Sequence, residues 1–377
     1  MECPETRRVL TLSFPIAVSV PRCRITFFNP WAAGLEDVSA CLARLPGESL
    51  DAHLPRTADA RLRAMARLDR DWYGECARCF AAAERPELAF LPAMTVGPTG
   101  LAEFIAAAQR RPVTEEWWLV FMAHHPQKIG APLVPLCTFL RKHGVRIAYY
   151  AFDEASREMP CFAALAPHLD VLIHDESPLG PAAAALRPGC ITLHRSWVAN
   201  VVPFAVPFNP EPEAKIIFLG SELGLTPHRR RQIDHLRTVF KDRFVAWHDH
   251  SVSVAERANL GRYAVGFCPE GRKFSTPAMA RSHTDRPFWS GCLGLVPVSE
   301  NSIEGGRLDD LAAAGLLIRY PHGDLAALTA ACEQALAASN EQRRRIYDHY
   351  NRHETVGVVL AEQLARHIAG RSQRAAA

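Results

Sequence analysis

Apolar residues in this chain gather into short continuous runs, and stretches of helical spacing lie between them. The clearest runs are Trp117 to Met122 (WWLVFM), Arg146 to Phe152 (RIAYYAF), Asp170 to His174 (DVLIH) and Cys190 to His194 (CITLH). Runs of this length without alternation predict strands buried on both faces, as in parallel sheets. Between them, Leu133 to His143 predicts a helix closed by Gly144, and Pro160 to His168 and Pro181 to Leu186 predict further helical pieces. Upstream, Val9 to Val20 and Arg24 to Asn29 read as strands, with helical patterns over Leu35 to Leu45, His53 to Ala83 and Pro98 to Arg110. The rhythm is strand, helix, strand, which predicts a parallel sheet with right-handed crossovers.

The pattern then breaks. Val201 to Glu213 (VVPFAVPFNPEPE) holds four prolines and cannot form a helix. It predicts an extended connector, dividing the chain into residues 1–205 and 206–377. The rhythm resumes with strands over Lys215 to Leu219, Phe244 to His248, Tyr263 to Cys268, Leu295 to Val298 and Gly315 to Tyr320. Thr226 and Pro227 suit the cap and first turn of a helix carrying His228 to Arg231. Thr284 and Asp285 can cap a short helix that begins near Arg286 and turns at Gly294. His322 to Ala338 and Glu341 to His367 predict the closing helices. The expectation is an α/β chain of two Rossmann-like, doubly wound domains.

Composition narrows the class. At 377 residues two domains are the natural expectation, and 48% hydrophobic with 22% charged residues is globular. A net charge of +3 gives no electrostatic footprint for nucleic acid. The eleven cysteines show one CxxC spacing, Cys76 and Cys79, inside a helical pattern, so reduced thiols are expected rather than zinc. The apolar run from Val9 is interrupted and too short to span a bilayer, and no clean cleavage site follows it. A cytoplasmic protein without an integral membrane segment is expected.

The arrangement of two such halves, a proline-rich connector and long closing helices resembles the GT-B glycosyltransferases, whose domains face a cleft. Val202 to Phe208 is similar to the family's P-F-G-V-D-P entry to the second domain, with Ala205 and Pro207 in place of Gly and Asp. Lys215 to Ser221 resembles its first strand and glycine turn. Tyr263 to Gly271 resembles a strand and loop of exostosin-like and fucosyltransferase-like members. Thr284 to Val298 resembles the block R-x-F-E-A-x-x-x-G-x-x-P-V: Arg286, Phe288, Gly294, Pro297 and Val298 match. Trp289 departs from it, standing where many members carry a glutamate that grips the donor ribose. Against the fucosyltransferase-like form T-E-K, Arg286 takes the place of a phosphate-binding lysine and Asp285 the acidic position. Arg345 to Asn351 is similar to the last-helix signature. The resemblance implies transfer of a sugar from a nucleotide-activated donor to a glycan, lipid-linked or small-molecule acceptor. It implies inverting chemistry, no metal and no cofactor besides the donor.

Such a transfer needs a base for the acceptor hydroxyl and cationic groups for the departing diphosphate. The base candidates are Asp153 and Glu154, which follow one strand, and His124 and His125, which follow another. Asp153 suits a helix cap equally well. Asp175 and Glu176 hold the same place one strand further on. For the donor, the candidates are the Gly220–Ser221 turn, Arg229 with Arg230 and Arg231, the loop residues Glu270, Arg272 and Lys273, and Thr284, Asp285 and Arg286. Glu300 and Asn301 are expected just past a strand end, where they could hold ribose hydroxyls in place of the missing glutamate. Two readings compete with a transferase: a nucleotide-sugar epimerase, and a non-catalytic sugar- or nucleotide-binding subunit. A dinucleotide oxidoreductase is disfavoured, since no GxGxxG follows a predicted strand.

Overall fold

A computed structural model describes residues 22–28, 89–90, 94–96, 104, 106–123, 130–151, 165–174, 191–194, 203–220, 226–247, 259–269, 286–301, 307–355 and 367. The strand expected at Val9 to Val20, the helices at Leu35 to Leu45, His53 to Ala83 and Pro181 to Leu186, and the Cys76–Cys79 pair lie outside these residues.

The first half is one parallel sheet. Its strands are β1 (Arg22–Phe28), β2 (Ala89–Phe90), β3 (Met94–Val96), β4 (Glu115–Ala123), β5 (Arg146–Ala151), β6 (Val171–His174) and β7 (Ile191–His194). Their order is β2-β1-β4-β5-β6-β7, with β3 also pairing β1. Every pairing is parallel. The chain builds outward from β1 in one direction, then returns to lay β4 on its other side. That reversal makes the β1–β4 boundary the switch point at which a doubly wound sheet opens a crevice. Helix α1 (Gly130–Lys142) follows β4 and closes as expected, at Gly144 with φ of 74°.

The second half repeats the plan. Strands β8 (Glu213–Leu219), β9 (Phe244–Trp247), β10 (Tyr263–Cys268), β11 (Val296–Asn301) and β12 (Ile318–Pro321) form a five-stranded parallel sheet. The order β12-β11-β10-β8-β9 is the flavodoxin-like one, with its switch point between β8 and β10. Helices α2 (Pro227–Phe240), α3 (Arg286–Cys292), α4 (Arg307–Ala313), α5 (Leu325–Leu336) and α6 (Asn340–His353) complete it. The protein is α/β, built on two doubly wound parallel sheets. The expected division at 205/206 falls between β7 and β8.

Side-chain size decides how the helices stack on the second sheet. A Cβ on Gly266 of β10 would lie 2.5 Å from Ser290 Oγ of α3, and one on Gly291 of α3 would enter the Tyr350 ring of α6. Two glycines in line therefore let strand, helix and helix approach closely. Helix α6 then fastens the turn between α3 and β11, where Gly294 has φ of 79°. Asn351 Nδ2 donates to the Cys292 carbonyl at 2.9 Å, and Arg343 Nη2 to the Gly294 carbonyl at 3.0 Å. The connector is held by the same helix: Phe204 N donates to Asn351 Oδ1 at 2.7 Å and Tyr347 Oη to the Val206 carbonyl at 2.6 Å. Further along, His367 meets Trp118 of β4 edge-on, with ring centroids 5.8 Å apart.

Two outcomes follow. Gly291→Ala should lose about 1–3 kcal/mol of stability through overpacking against Tyr350, read as a lowered denaturant midpoint. Burial holds the Tyr350 hydroxyl well above the usual phenol range. A folded-state pKa above the unfolded value means that folding disfavours the phenolate. Its contribution is complete below about pH 10 and is lost as pH rises further. The Tyr350 hydroxyl makes no hydrogen bond among the described residues. Tyr350→Phe should therefore leave neutral-pH stability nearly unchanged and reduce the alkaline loss in a pH series of melting curves.

Candidate functional site

The carboxyl edge of the second sheet carries a buried carboxylate. The strand expected to stop at Val298 instead runs to Asn301, because β12 continues to pair with it: Ser299 faces Arg319 and Glu300 faces Tyr320. Glu300 thus belongs to a strand, and its side chain is 0% exposed. A buried carboxylate persists only where donors replace its water. Two elements supply them.

Helix α2 supplies the first two. Thr226 caps it, its hydroxyl accepting from Arg229 N at 3.2 Å, and Pro227 occupies the first turn, both as expected. The cap orients the opening turn so that His228 and Gln232, four residues apart, share one face. His228 Nε2 donates to Glu300 Oε1 at 2.8 Å and lies 3.0 Å from Oε2. Gln232 Nε2 donates to Oε1 at 2.9 Å. The turn after β12 supplies the rest. Gly323 takes φ of 74° and its N–H donates to Oε1 at 2.8 Å. His322 Nδ1 lies 3.1 Å from the same oxygen although its side chain is 60% exposed. The helix expected to begin at His322 begins at Leu325, since Asp324 caps it by accepting from Ala327 N at 2.9 Å.

The hydrogen bonds to Glu300 assign an Nε2–H tautomer to His228. The two rings lie nearly parallel, with centroids 4.5 Å apart and planes 20° apart. His228, Glu300 and His322 place their ligand-capable atoms within 4.8 Å of one another, a metal-capable set by residue type. An imidazole binds a cation through an in-plane lone pair, and near-parallel rings do not aim two such pairs at one point. The arrangement is that of a hydrogen-bonded cluster. Gln232 Oε1, fully buried, has no partner among the described residues.

A second feature adjoins the β8–β10 switch point. Gly220 follows β8, and a Cβ there would fall 2.5 Å from Phe218 Cζ, so only glycine fits beside that ring. The Arg286 guanidinium lies 5.7 Å from the centroid of the same ring, a cation–π contact. Arg286 opens α3, as expected, although the helix has only seven residues.

The remaining candidates fall out as follows. Arg229 is buried at 8% exposure, while Arg230 and Arg231 are exposed. Trp289 is buried in the core. Asn301 is exposed at the end of β11. His124, His125, Asp153, Glu154, Asp175, Glu176, Ser221, Glu270, Arg272, Lys273, Thr284 and Asp285 lie outside the described residues. Their neighbours still locate them in sequence. His124 follows β4, which borders the first sheet's switch point, and Asp153 follows β5, one strand further away.

His228 and His322 had no place in the expected site. The signals were present, a His and a Gln four apart behind a cap and a His-Gly-Asp turn after a strand. They acquire meaning only once both face the same carboxylate. At the opposite, amino end of β4 and β5 lies a cavity of about 390 Å³ lined by Arg111, Glu115, Glu116, Arg141 and Arg146. Its arginines are engaged there, Arg141 and Arg146 with Asp170 at 2.8 and 3.3 Å and Arg111 with backbone carbonyls.

No protein-family profile matches the chain. No curated protein matches it in sequence. Similar solved structures include AviGT4, a glycosyltransferase involved in avilamycin A biosynthesis, at 11% identity and a TM-score of 0.46 over 93% of this chain and 98% of that one. Anabaena HepE in complex with UDP and glucose matches at 11% identity and 0.44, over 91% and 99%. The spinosyn rhamnosyltransferase SpnG with thymidine diphosphate matches at 9% and 0.35, over 91% and 100%. Likeness at this level concerns architecture alone. Among the described residues, no helix is long and apolar enough to cross a membrane.

Glu300→Ala should cost about 2–4 kcal/mol, because His228, Gln232 and the Gly323 N–H would lose one buried acceptor together. Differential scanning calorimetry checks this, with the exposed Arg230→Ala expected to stay within about 0.5 kcal/mol of the parent.

Proposed function

We propose that this protein is a glycosyltransferase of the GT-B kind, taking its sugar from a nucleoside diphosphate donor at the carboxyl edge of the second sheet. The observation that carries the reading is the strand order of that sheet. Its reversal between β8 and β10 brings a glycine-only turn at Gly220 beside an arginine, Arg286, stacked on Phe218. A backbone free of side-chain bulk next to a guanidinium suits a diphosphate, which arginine holds through paired, charge-assisted hydrogen bonds. The low structural likeness to known transferases carries no part of this reading.

In this reading the acceptor lies at the carboxyl edge of the first sheet. The switch point at β1 and β4 favours His124 and His125 as the acceptor's base, with Asp153 and Glu154 as the rival pair one strand away. The base takes the acceptor hydroxyl proton as that oxygen attacks the anomeric carbon. The bond from that carbon to the diphosphate breaks, and the diphosphate leaves as an anion stabilised by Arg286. Attack from the face opposite the leaving group inverts the anomeric centre. In this reading Ser221, Glu270, Arg272, Lys273, Thr284 and Asp285 would complete the donor pocket, and no metal or further cofactor is invoked. Glu300 has its carboxylate occupied, so it acts as a positioning residue; contact with a ribose would come from its neighbours. The burial of Trp289 at the family's glutamate position favours, as the second reading, a binding subunit that holds nucleotide without turning it over.

A thermal-shift panel of UDP, dTDP, GDP and CMP tests the reading, since a ligand that binds the folded state raises the melting temperature with its affinity. One of the diphosphates should stabilise the protein, and Arg286→Ala should weaken that nucleotide about 10–100-fold by calorimetry. His124→Ala or Asp153→Asn, whichever removes the base, should lower kcat about 10²–10⁴-fold with nucleotide affinity retained. Nucleotide binding without donor turnover would select the binding subunit, and release of a free epimer would select an epimerase.

A further inference from the structure

The cavity at the amino end of β4 and β5 lies away from both carboxyl edges. Its volume of about 390 Å³ falls in the range of small-molecule pockets. Strand β4 is nine residues long, so at about 3.3 Å per residue the cavity lies roughly 27 Å from that strand's carboxyl end. A molecule seated there does not reach the edge at which sugar transfer is proposed.

A glycine turn builds the cationic wall. Gly144 has φ of 74°, and a Cβ there would lie 2.4 Å from Arg111 Nη2, so the missing side chain makes the seat of that guanidinium. Three carbonyls fix the group. Its Nε donates to the His143 carbonyl at 3.4 Å, and its Nη1 to those of Pro112, at 3.3 Å, and Glu115. Among the described residues no carboxylate pairs with Arg111, and its Nη2 makes no hydrogen bond. Arg141 and Arg146 share one carboxylate, Asp170, at 2.8 and 3.3 Å, each donating through Nη1. Ile147 N adds a bond to the same carboxylate at 2.9 Å. The other guanidinium nitrogens of this pair make no hydrogen bond among the described residues, and the two side chains are 30% and 36% exposed.

The rest of the lining has a different chemistry. Glu115 and Glu116 begin β4, and their carboxylates accept from the indoles of Trp117 at 2.8 Å and Trp118 at 3.1 Å. A carboxylate bonded to an indole keeps further acceptor capacity. Val113 also lines the cavity and is 94% exposed. Forked donors, charged acceptors and an apolar contact therefore lie around one space. A bare anion would use the first and be opposed by the second. A ligand carrying an anion, hydroxyl groups and C–H faces uses all three.

We propose that this cavity is a second small-molecule site, separate from the donor pocket, and that it takes a sugar phosphate. The phosphate accepts charge-assisted hydrogen bonds from the open N–H groups of Arg111, Arg141 and Arg146. The sugar hydroxyls donate to Glu115 and Glu116, and a C–H face of the sugar covers Val113. The site is independent of the donor reading, since it lies in the other domain and at the opposite sheet edge.

Calorimetric titration of the full-length protein tests it, with glucose 1-phosphate, glucose 6-phosphate, fructose 6-phosphate, glucose, inorganic phosphate and sulfate at fixed ionic strength. At least one sugar phosphate should bind once per chain, about tenfold or more tighter than inorganic phosphate or sulfate, and glucose alone should not bind. Arg146→Gln and Arg111→Lys should each weaken it about tenfold, because each removes part of a guanidinium fork. Glu115→Gln should weaken the sugar phosphate and leave inorganic phosphate unchanged. Arg286→Ala should bind it as the parent does, which separates this site from the donor pocket. Melting curves check that the variants are folded, and the partly exposed Arg146 is the position least able to disturb the fold. Equal affinity for the sugar phosphates, phosphate and sulfate would mean an adventitious anion only and would overturn the proposal. Binding lost in Arg286→Ala and kept in Arg146→Gln would overturn it as well. Absence of binding by the whole panel would also overturn it, and would leave the donor reading standing.

Discussion

A single buried carboxylate organises the functional edge of the second domain. Glu300 could not sit at the end of β11 without donors, and the donors come from elements far apart in sequence: α2 and the turn between β12 and α5. Meeting that requirement draws the start of α2, the end of β11 and the β12 turn to one point. The polar contact determines position there, because hydrogen bonds have direction where apolar contacts do not. It also brings His322 beside the carboxylate while leaving it exposed.

The rest of the second domain supports that edge by close packing. Gly266 and Gly291 remove two side chains along one line, which lets β10, α3 and α6 stack without a gap. Asn351 and Arg343 then bind the carbonyls of the α3–β11 turn, so α6 sets where β11 begins. The same helix holds the connector through Phe204 and Val206. Position at the carboxyl edge thus descends from packing on the opposite side of the sheet.

Doubly wound sheets place their loops for chemistry by topology. In both halves the chain reverses beside the first strand of the sheet, at β1–β4 and at β8–β10. The groups nearest these reversals in sequence, His124 after β4 and Gly220 after β8, gain weight over candidates one strand away. Strand order depends on which elements pair across the sheet, and a one-dimensional pattern of apolar runs does not encode it.

Much was legible in the sequence because it depends on neighbours along the chain. The apolar runs became β4, β5, β6 and β7, the Thr226–Pro227 pair became a cap and first turn, and Gly144 and Gly294 became turns with positive φ. Four prolines marked the passage between two sheets for the local reason that proline lacks an N–H. The length of β11, the start of α5 at Leu325 and the partnership of His228, Gln232, His322 and Gly323 were not legible. Each is decided by a residue brought near from another element: β12 extends β11, and Glu300 gathers the donors. Local preference set which segments were strands and helices. Only the tertiary structure, by removing one carboxylate from water, determined which side chains had to meet.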